Sequence, residues 1–216
     1  MGGFFTKLRN LFTGFKKERK VLMVGLDAAG KTTILEYLKF NVVATTIPTV
    51  GFNVEEIKFG KLTMTIWDIG GQDKIRMLWR HYYEGNHGII FVVDSSDHDR
   101  LELAKDELWK VLNAEECKNA ALLVIANKQD LPGALPVSDL AGKLGLHSVK
   151  GRQWFIQGAV ATRGEGLYDG LRELSKAIDK WAPRICFNLL NTHSFTSHPF
   201  NLFSISQSWN RLKGQK

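Results

Sequence analysis

The sequence predicts an α/β domain in which a six-stranded, mostly parallel sheet is covered by helices on both faces. Short apolar runs rich in β-branched residues alternate along the chain with segments of helical periodicity, the pattern expected for strands joined by crossover helices. Most of these runs show no alternation of polarity, which is typical of strands buried on both faces. Two runs do alternate, and the Gly60-Lys61 turn between them indicates an antiparallel hairpin. In such a sheet the functional site lies at the carboxyl ends of the parallel strands.

The individual elements can be placed in chain order. Buried strands are predicted at Val21–Val24, Gly88–Asp94, Leu122–Ala126 and Trp154–Gln157, and the hairpin strands at Asn53–Phe59 and Leu62–Asp68. Apolar residues at helical spacing predict helices at Lys31–Phe40, Asp99–Asn113, Val137–Leu144 and Gly166–Lys180.

Composition divides the chain into three segments. Residues 1–19 form a basic amphipathic leader, residues 20–180 the α/β domain, and residues 181–216 a tail without Asp or Glu that we expect to be poorly ordered. The helical pattern stops at Trp181. The tail is open to three interpretations: a disordered extension, an extra membrane contact, or translated non-coding sequence. The lack of a steady period in Phe187–Phe203 favours an extension without function.

The distribution of charge argues against nucleic acid as a partner. The chain carries a net +7, of which residues 1–20 hold +5 and residues 181–216 hold +4, so residues 21–180 are mildly acidic at −2. A basic face on the folded domain would be expected of a nucleic-acid binder. No apolar run approaches the roughly 18 residues of a membrane span. Cys117 and Cys186 match no metal spacing, which favours idle thiols in a reducing compartment.

A phosphate-binding loop follows the first predicted strand. The run Gly25-Leu26-Asp27-Ala28-Ala29-Gly30-Lys31-Thr32 fits G-x-x-x-x-G-K-[ST] between a buried strand and a helix. Glycines permit a tight turn that directs backbone N–H groups at phosphates, and the helix adds its positive end. We expect Lys31 to reach the β- and γ-phosphates and the Thr32 hydroxyl to bind Mg²⁺, with Thr33 completing the nucleotide-binding set.

A second motif selects the base. Asn127-Lys128-Gln129-Asp130 follows the strand Leu122–Ala126 and so lies on the same sheet edge as the phosphate loop. The Asp130 carboxylate can accept from the ring N–H and the exocyclic amine of guanine together, whereas adenine would leave it unpaired. We expect Asn127 to join the base loop to neighbouring backbone and the base, and the Lys128 stem to cover the ring face. A backbone N–H from Ala161-Thr162 would meet the guanine carbonyl oxygen.

A third group of residues is suited to sensing and hydrolysing the γ-phosphate. Asp68, which ends the second hairpin strand, would hold Mg²⁺ through water, and Thr49 would supply a second hydroxyl ligand. In the following Gly70-Gly71-Gln72, the Gly71 N–H would bond a γ-phosphate oxygen and Gln72 would orient the attacking water. The catalytic candidates are therefore Gln72, Lys31 and Gly71.

These residues lie in longer runs that resemble the Arf (ADP-ribosylation factor) small GTPases over about residues 2–180. The runs are G-L-D-A-A-G-K-T-T, T-T-I-P-T-V-G-F-N-V-E, W-D-I-G-G-Q-D-K-I-R, L-W-R-H-Y, N-K-Q-D-L-P and K-L-G-L-H-S. Met77 and Val160 depart from the residues usual in that family, and neither removes a donor that the chemistry requires. The resemblance implies a P-loop GTPase fold, GTP or GDP with Mg²⁺ as ligands, and a cytoplasmic switch, peripheral on Golgi membranes, that recruits vesicle coats.

The resemblance also implies partners. A Sec7-type guanine-nucleotide exchange factor would load the protein, and a GTPase-activating protein would reset it. Phe52, Trp67 and Trp79 match the aromatic set through which the family contacts effectors, although packing of the hairpin and of the helix after Gln72 is an equally good account of them. No arginine lies in the phosphate loop or in Thr45–Thr49, so we expect slow intrinsic hydrolysis with an arginine supplied in trans.

The leader is suited to a membrane surface. Met1–Thr6 fits M-G-x-x-x-[ST], which makes Gly2 a myristoylation candidate. Apolar residues of the leader then recur at helical spacing with basic residues largely off that face, which provides the second signal that one acyl chain needs. The alternative is a helix packed on the domain itself. In Arf-like proteins both would hold in turn, the helix being released when GTP shifts the hairpin.

Three function classes compete. The first is a regulatory GTPase that cycles between GDP and GTP. The second is an Arf-like GTP-dependent binding module acting at another membrane or without significant hydrolysis, against which Gln72 argues. The third is an ATP-dependent small-molecule kinase, which would need a substrate lid and basic clamps. Competition between GDP and ADP separates the third class from the others.

Overall fold

The computed structural model describes residues 18–40, 52–59, 62–69 and 73–191. Within these residues six strands form one sheet in the order β2-β3-β1-β4-β5-β6, mostly parallel, which confirms the predicted fold class. The strands are β1 Glu18–Val24, β2 Phe52–Phe59, β3 Leu62–Ile69, β4 Gly88–Asp94, β5 Ala121–Asn127 and β6 Trp154–Gly158.

Helices connect the strands. They are α1 Lys31–Phe40, α2 Asp73–Arg76, α3 Leu101–Asn113, α4 Val137–Lys143 and α5 Leu167–Asn191, with 3₁₀ turns at Trp79–Tyr82, Glu115–Cys117 and Leu146–Ser148. The helix α3 begins at Leu101 and not at the predicted Asp99. The reason is a turn before it, in which Asp97 accepts from the backbone N–H of Arg100 at 3.2 Å.

Strand pairing places the hairpin at one edge of the sheet. β2 and β3 are antiparallel and close at Phe59↔Leu62, and β3 pairs in parallel with β1 from Glu18↔Thr63 onward. The pairing with β3 explains why β1 starts at Glu18. Glu18 and Arg19 therefore lie in the sheet, although composition alone placed them with the leader.

Two apolar cores lie on opposite faces of the sheet, because successive residues of each buried strand point to opposite sides. Leu22, Phe91 and Val124 face one side, with apolar residues of α3 and α4. Met23 and Ile90 face the other side, with Ile34 of α1 and Leu171 of α5. This arrangement confirms that helices cover both faces of the sheet.

Two further predicted elements, β6 and α5, differ from the structure. β6 was expected to be buried, but it ends the sheet order and all five of its residues are only half-buried. α5 was expected to end at Lys180, but it continues to Asn191. Residues 181–191 include no glycine that would end a helix, although Pro183 removes an N–H donor from its interior.

The chain divides into two compact units, Met1–Trp181 and Ala182–Lys216. Nothing among the described helices has both the length and the apolar character needed to span a bilayer. The predicted leader helix, the Thr45–Thr49 segment and the Gly70-Gly71-Gln72 run lie outside the described residues, as does the tail beyond Asn191.

Candidate functional site

The carboxyl ends of the parallel strands bring the predicted motifs to one edge of the sheet. The register pairs Met23 with Asp68 and Asp94 with Asn127. The phosphate loop leaves the end of β1, so it emerges between these two pairs. The phosphate and base motifs are far apart in the sequence, and they converge here as the parallel topology requires.

The phosphate loop is a tight turn with positive φ at Gly25 (151°), Ala28 (60°) and Gly30 (97°). A Cβ at Gly30 would overlap the Asn127 side-chain nitrogen. Glycine at this position therefore permits both the left-handed backbone and the close approach of the base motif. The helix α1 begins directly after the turn, at Lys31, with no acidic residue in its first turn, so its N–H groups are available to an anion.

Lys31 is buried and holds the loop. Its Nζ donates to the carbonyl oxygens of Gly25 at 3.0 Å and Leu26 at 2.9 Å. Burial lowers the pKa of Lys31 from its ordinary 10.5 to about 8, although the charges of Asp68 and Asp27 act in the opposite direction. The ammonium is thus desolvated within the loop, and a bound phosphate would compensate the cost of burying that charge.

Thr32 and Asp68 form a pair of oxygen donors. The Thr32 hydroxyl donates to Oδ2 of the fully buried Asp68 at 2.9 Å. A hydroxyl and a carboxylate are ligands that Mg²⁺ prefers, so the donor chemistry of the pair fits that ion. Within the described ranges no group of three His, Cys, Asp or Glu side chains is placed to hold a metal. Thr33 lies half-buried in the same first turn of α1.

Asn127 connects the phosphate loop to the base loops. Its Nδ2 donates to the Ala29 carbonyl oxygen at 2.9 Å, and its Oδ1 accepts from the Ala161 N–H at 3.0 Å. The predicted link to neighbouring backbone is therefore present on both sides. The Ala161 N–H, one of the two backbone donors expected to meet the guanine carbonyl oxygen, is bonded to Asn127 in this arrangement.

Lys128 has a partner that the sequence did not reveal. Its backbone is left-handed, with φ 63°, and its Nζ lies 2.6 Å from Oδ2 of Asp94. Burial would raise the pKa of the Asp94 carboxyl, but hydrogen bonds from Lys128 and Ser96 outweigh it and hold that pKa below its ordinary value. Asp94 ends β4 at the same edge as Asp68 and Asn127, so the strand-end rule could have identified it.

Two arginines beside the site were also missed. Arg100 lies 3.2 Å from Oδ1 of Asp27 in the phosphate loop, and its Nε donates to Asp97 Oδ2 at 2.6 Å. Arg163 lies 3.5 Å from Oδ2 of Asp130, the base-selecting carboxylate. Both contacts join residues distant in sequence, so no local pattern would have indicated them.

An aromatic surface lies at the hairpin, formed by Phe52, Trp67 and Tyr82. The ring centroids are 5.7 Å apart for Phe52–Trp67, 5.3 Å for Phe52–Tyr82 and 5.4 Å for Trp67–Tyr82. Phe52 is 49% exposed, so this aromatic surface is open to solvent. Lys20 Nζ lies 5.1 Å from the centroid of the Trp67 ring.

The expected place of Trp79 on this surface is not observed. Trp79 is 1% exposed and packs into the core with Leu108 and Phe91. Its position at the start of a 3₁₀ turn directs it inward, while Tyr82 at the end of the same turn faces Phe52. Gly2, Thr49, Gly70, Gly71 and Gln72 lie outside the described residues.

Comparison with known proteins agrees with this geometry. The model of the ADP-ribosylation factor family matches residues 4–178. Among solved structures, the Arl6 BBS3 small GTPase from Trypanosoma brucei, with the nucleotide analogue GppNp bound, is 34% identical with a TM-score of 0.71. The match covers 76% of this chain and 99% of that one. The chain therefore belongs to the ADP-ribosylation factor family of small GTPases, switches that bind guanine nucleotide and hydrolyse GTP.

Proposed function

We propose that this GTPase binds membranes when loaded with GTP and recruits vesicle coats and other effectors in Golgi and secretory traffic. The observation that carries the proposal is the position of β3, which joins the nucleotide site to the aromatic surface. Asp68 near the end of β3 contacts Thr32, while its neighbour Trp67 packs against Phe52 and Tyr82. Because Asp68 and Trp67 are adjacent in β3, a movement of Asp68 in response to the bound phosphates would move Trp67 and so alter the aromatic surface.

The nucleotide is assigned to the convergent loops. Phosphates are held by the N–H groups of Gly25–Thr33 and by Lys31, and the base by Asn127, Lys128 and Asp130 with the Ala161-Thr162 backbone. Support comes from the buried Lys31 ammonium and from the Asn127 bonds to both loops. Mg²⁺ is assigned to Thr32, Asp68 and Thr49, and when bound it neutralises charge on the phosphate oxygens.

Hydrolysis is assigned to Gln72, which orients the water, and to the Gly71 N–H and Lys31, which stabilise charge on the γ-phosphate. Arg100 beside the loop is held by Asp27 and Asp97, so we propose that the transition-state arginine comes from a GTPase-activating protein. Such an arginine is worth about 10³–10⁵ in rate. Rapid single-turnover hydrolysis by the isolated chain would contradict this assignment.

Membrane binding is assigned to the leader. Myristoylated Gly2 and the amphipathic helix after it supply the two signals that stable anchoring requires. GTP loading shifts the 52–69 hairpin and releases the helix. A shift by an even number of residues keeps each face of the hairpin on its original side.

Flotation with liposomes tests this switch. We expect binding with a GTP analogue, weak binding with GDP, and loss of binding in Gly2→Ala. Equal flotation with both nucleotides would contradict the switch.

Partners are tested by a pull-down with the Gln72→Leu form, which remains loaded with GTP. We expect coat subunits to be recovered and recovery to fall in Phe52→Ala. Phe40→Ala is the matched control, because Phe40 is 63% exposed but lies outside the aromatic surface. A Sec7-type exchange factor should accelerate GDP release. Coat recovery that is insensitive to Phe52→Ala or to the nucleotide would count against the proposal.

An Arf-like role at another membrane is the second candidate. Similarity to the Trypanosoma brucei Arl6 BBS3 small GTPase favours keeping it, because that relative is an Arf-like protein and is matched over nearly its whole length. The same pull-down separates the two candidates. Recovery of trafficking proteins other than Golgi coats, together with fluorescence of the tagged chain away from the Golgi, would favour the second candidate.

A further inference from the structure

The turn that follows β6 is closely built. Its Val160 N–H donates to the Glu165 carbonyl oxygen at 3.1 Å, and the Arg163 N–H donates to the Val160 carbonyl oxygen at 3.0 Å. The bridge between Val160 and Glu165 is antiparallel. The turn is tied to β5 as well, since the Ala159 N–H donates to the Ala126 carbonyl oxygen at 2.9 Å. The backbone of Arg163 is therefore fixed relative to the base motif that follows β5.

The Arg163 side chain is oriented by a carboxylate of the same turn. Its Nε donates to Oε1 of Glu165 at 2.6 Å and its Nη2 donates to Oε2 at 3.2 Å, a two-point contact that fixes the plane of the guanidinium. The third nitrogen, Nη1, lies 3.5 Å from Oδ2 of Asp130. Arg163 thus reaches from the turn after β6 to the base motif after β5.

We propose that Arg163 is a positioning residue for guanine recognition: held by Glu165, it fixes the orientation of the Asp130 carboxylate. The inference rests on the proposed assignment of Asp130 to the base.

The chemistry of the base makes this orientation selective. Guanine presents two donors, the ring N–H and the exocyclic amine, and needs both carboxylate oxygens in its plane. A carboxylate has about four acceptor positions, so Oδ2 can keep its ion pair with Arg163 and still accept a hydrogen bond from the base. Hypoxanthine lacks the amine and uses one oxygen only. It therefore tolerates rotation of the Asp130 carboxylate that guanine does not.

An exposed ion pair normally contributes little, because solvent and salt screen it. Arg163 and Glu165 are about half exposed, so a modest effect is expected. The two-point contact with Glu165 makes the pair more ordered than a single lysine contact would. Loss of the Arg163–Asp130 ion pair should therefore change the free energy of unfolding little. It should be detectable as a weaker preference for guanine over hypoxanthine.

The test measures dissociation constants of GDP and IDP for the full chain and for Arg163→Gln. We expect the preference for GDP over IDP to fall by about two- to fivefold, the range typical of an exposed ion pair, chiefly through faster GDP release. Arg163→Lys should restore part of it, and 0.5 M NaCl should reduce the difference between wild type and Arg163→Gln. The control is Arg172→Gln: Arg172 is 57% exposed and pairs with Asp169 at 2.9 Å, away from the base motif.

Four outcomes would overturn the inference. They are an unchanged preference, equal weakening of GDP and IDP, tighter GDP binding, and the same effect in Arg172→Gln. Tighter GDP binding would mean that Arg163 competes with guanine for Asp130. A separate arm with Asp130→Ala tests the underlying assignment. If Asp130→Ala leaves the preference intact, the assignment of Asp130 is wrong; if it removes the preference and Arg163→Gln does not, only the role of Arg163 is wrong.

Discussion

At the scale of single residues, Lys31 carries a charge that depends on its surroundings. Burial brings its pKa down to about 8, so the folded, nucleotide-free chain binds that proton less tightly than the unfolded chain, whose lysine has the ordinary 10.5. The buried ammonium therefore reduces stability below pH 8. This cost disappears as the pH rises from 8 to 10.5, where the folded side chain is neutral and the unfolded one is charged.

Deprotonation of Lys31 should weaken nucleotide binding, although it increases the stability of the nucleotide-free fold. Because the phosphates require the ammonium, we expect GDP affinity to fall as the pH rises above 8, by at most about tenfold per pH unit for one proton. Dissociation constants measured between pH 7 and 9.5 check this. Lys31→Ala should bind weakly throughout and lack the step; a parallel profile in both proteins would exclude Lys31 as the titrating group.

Gly164 shows a steric requirement at one position. Its φ is +72°, and a Cβ there would overlap the ring of Tyr37 in α1. Gly85 has nearly the same φ, +74°, with open space around its Cβ position. Both alanine variants should lose about 1 kcal/mol from the left-handed backbone, and Gly164→Ala about 1–3 kcal/mol more from displacing Tyr37.

Urea unfolding of the two glycine variants measures that difference. The excess loss in Gly164→Ala should be accompanied by faster GDP release, because Gly164 lies in the turn whose Ala161 N–H is bonded to Asn127. Equal stability of Gly164→Ala and Gly85→Ala would show that Tyr37 moves aside without cost.

Single residues also show where sequence reasoning stops. Lys31, Asp68 and Asn127 were predicted because strand ends of a parallel sheet share an edge and each motif has fixed internal spacing. The partners Asp94 for Lys128, Arg100 for Asp27 and Arg163 for Asp130 come from a different strand or from turns beside other elements, separated by tens of residues. Periodicity reports which face a residue occupies and not which distant side chain meets it there. Trp79 had two equally weighted interpretations, and its burial favours packing over effector contact.

At the scale of elements, α2 is joined to α3 by a nearly buried ion pair. Arg76 Nε lies 3.8 Å from Oε1 of Glu107, with both side chains 10% exposed, and Lys110 Nζ lies 2.9 Å from the same oxygen. α2 directly follows the segment that contains Gln72. A helix after Gln72 was expected, but its bounds were not predicted, since four residues are too few for apolar periodicity to emerge.

Removing the charge of Glu107 should therefore weaken the attachment of α2. We expect Glu107→Gln to cost about 1–3 kcal/mol, less than a fully buried pair because the distance is long and Lys110 also reaches the site. Glu102→Gln is the control on the same helix, because Glu102 pairs with Lys105 while 77% exposed. Thermal or urea unfolding gives the comparison. Equal costs for the two variants would exclude a special role for the buried pair.

Element boundaries were predicted well where local signals exist and poorly where pairing decides. The start of α1 at Lys31 follows from the phosphate loop, and β4 matches its apolar run from Gly88 to Asp94. β1 starts three residues before its apolar run, because β3 pairs with it from Glu18. The end of α5 was predicted at Lys180 because the charge and the apolar periodicity of the sequence change there. A helix normally ends at a glycine or another capping residue, and a change of composition alone does not end it, so α5 was predicted too short.

At the scale of the whole molecule, the unit that holds the nucleotide site is compact by itself. It ends at Trp181, and over the part of α5 up to Lys180, where the side chains are described, the last buried apolar residues are Leu174, Ala177 and Ile178. Residues after Trp181 belong to the second unit. The nucleotide site should therefore not depend on them.

A chain ending at Trp181 tests this independence. We expect its GDP release rate and unfolding midpoint to match those of the full chain, with midpoints within about 2 °C, since a surface change of up to 0.5 kcal/mol shifts the midpoint by roughly that amount. Faster GDP release in the shorter chain would show that the second unit supports the site. The same pair of chains, floated with liposomes, would show whether the basic tail adds to membrane binding.

The bonds of Asn127 to Ala29 and to Ala161 have a consequence for timing. One amide closes the two ends of the cleft, so neither end opens without disturbing the other. We expect base and phosphates to depart as one event, and the dwell time of the resting state to be set by a single side chain. An exchange factor therefore does not need to contact the whole nucleotide. Displacing either the phosphate loop or the base loop should be enough to release both the phosphates and the base.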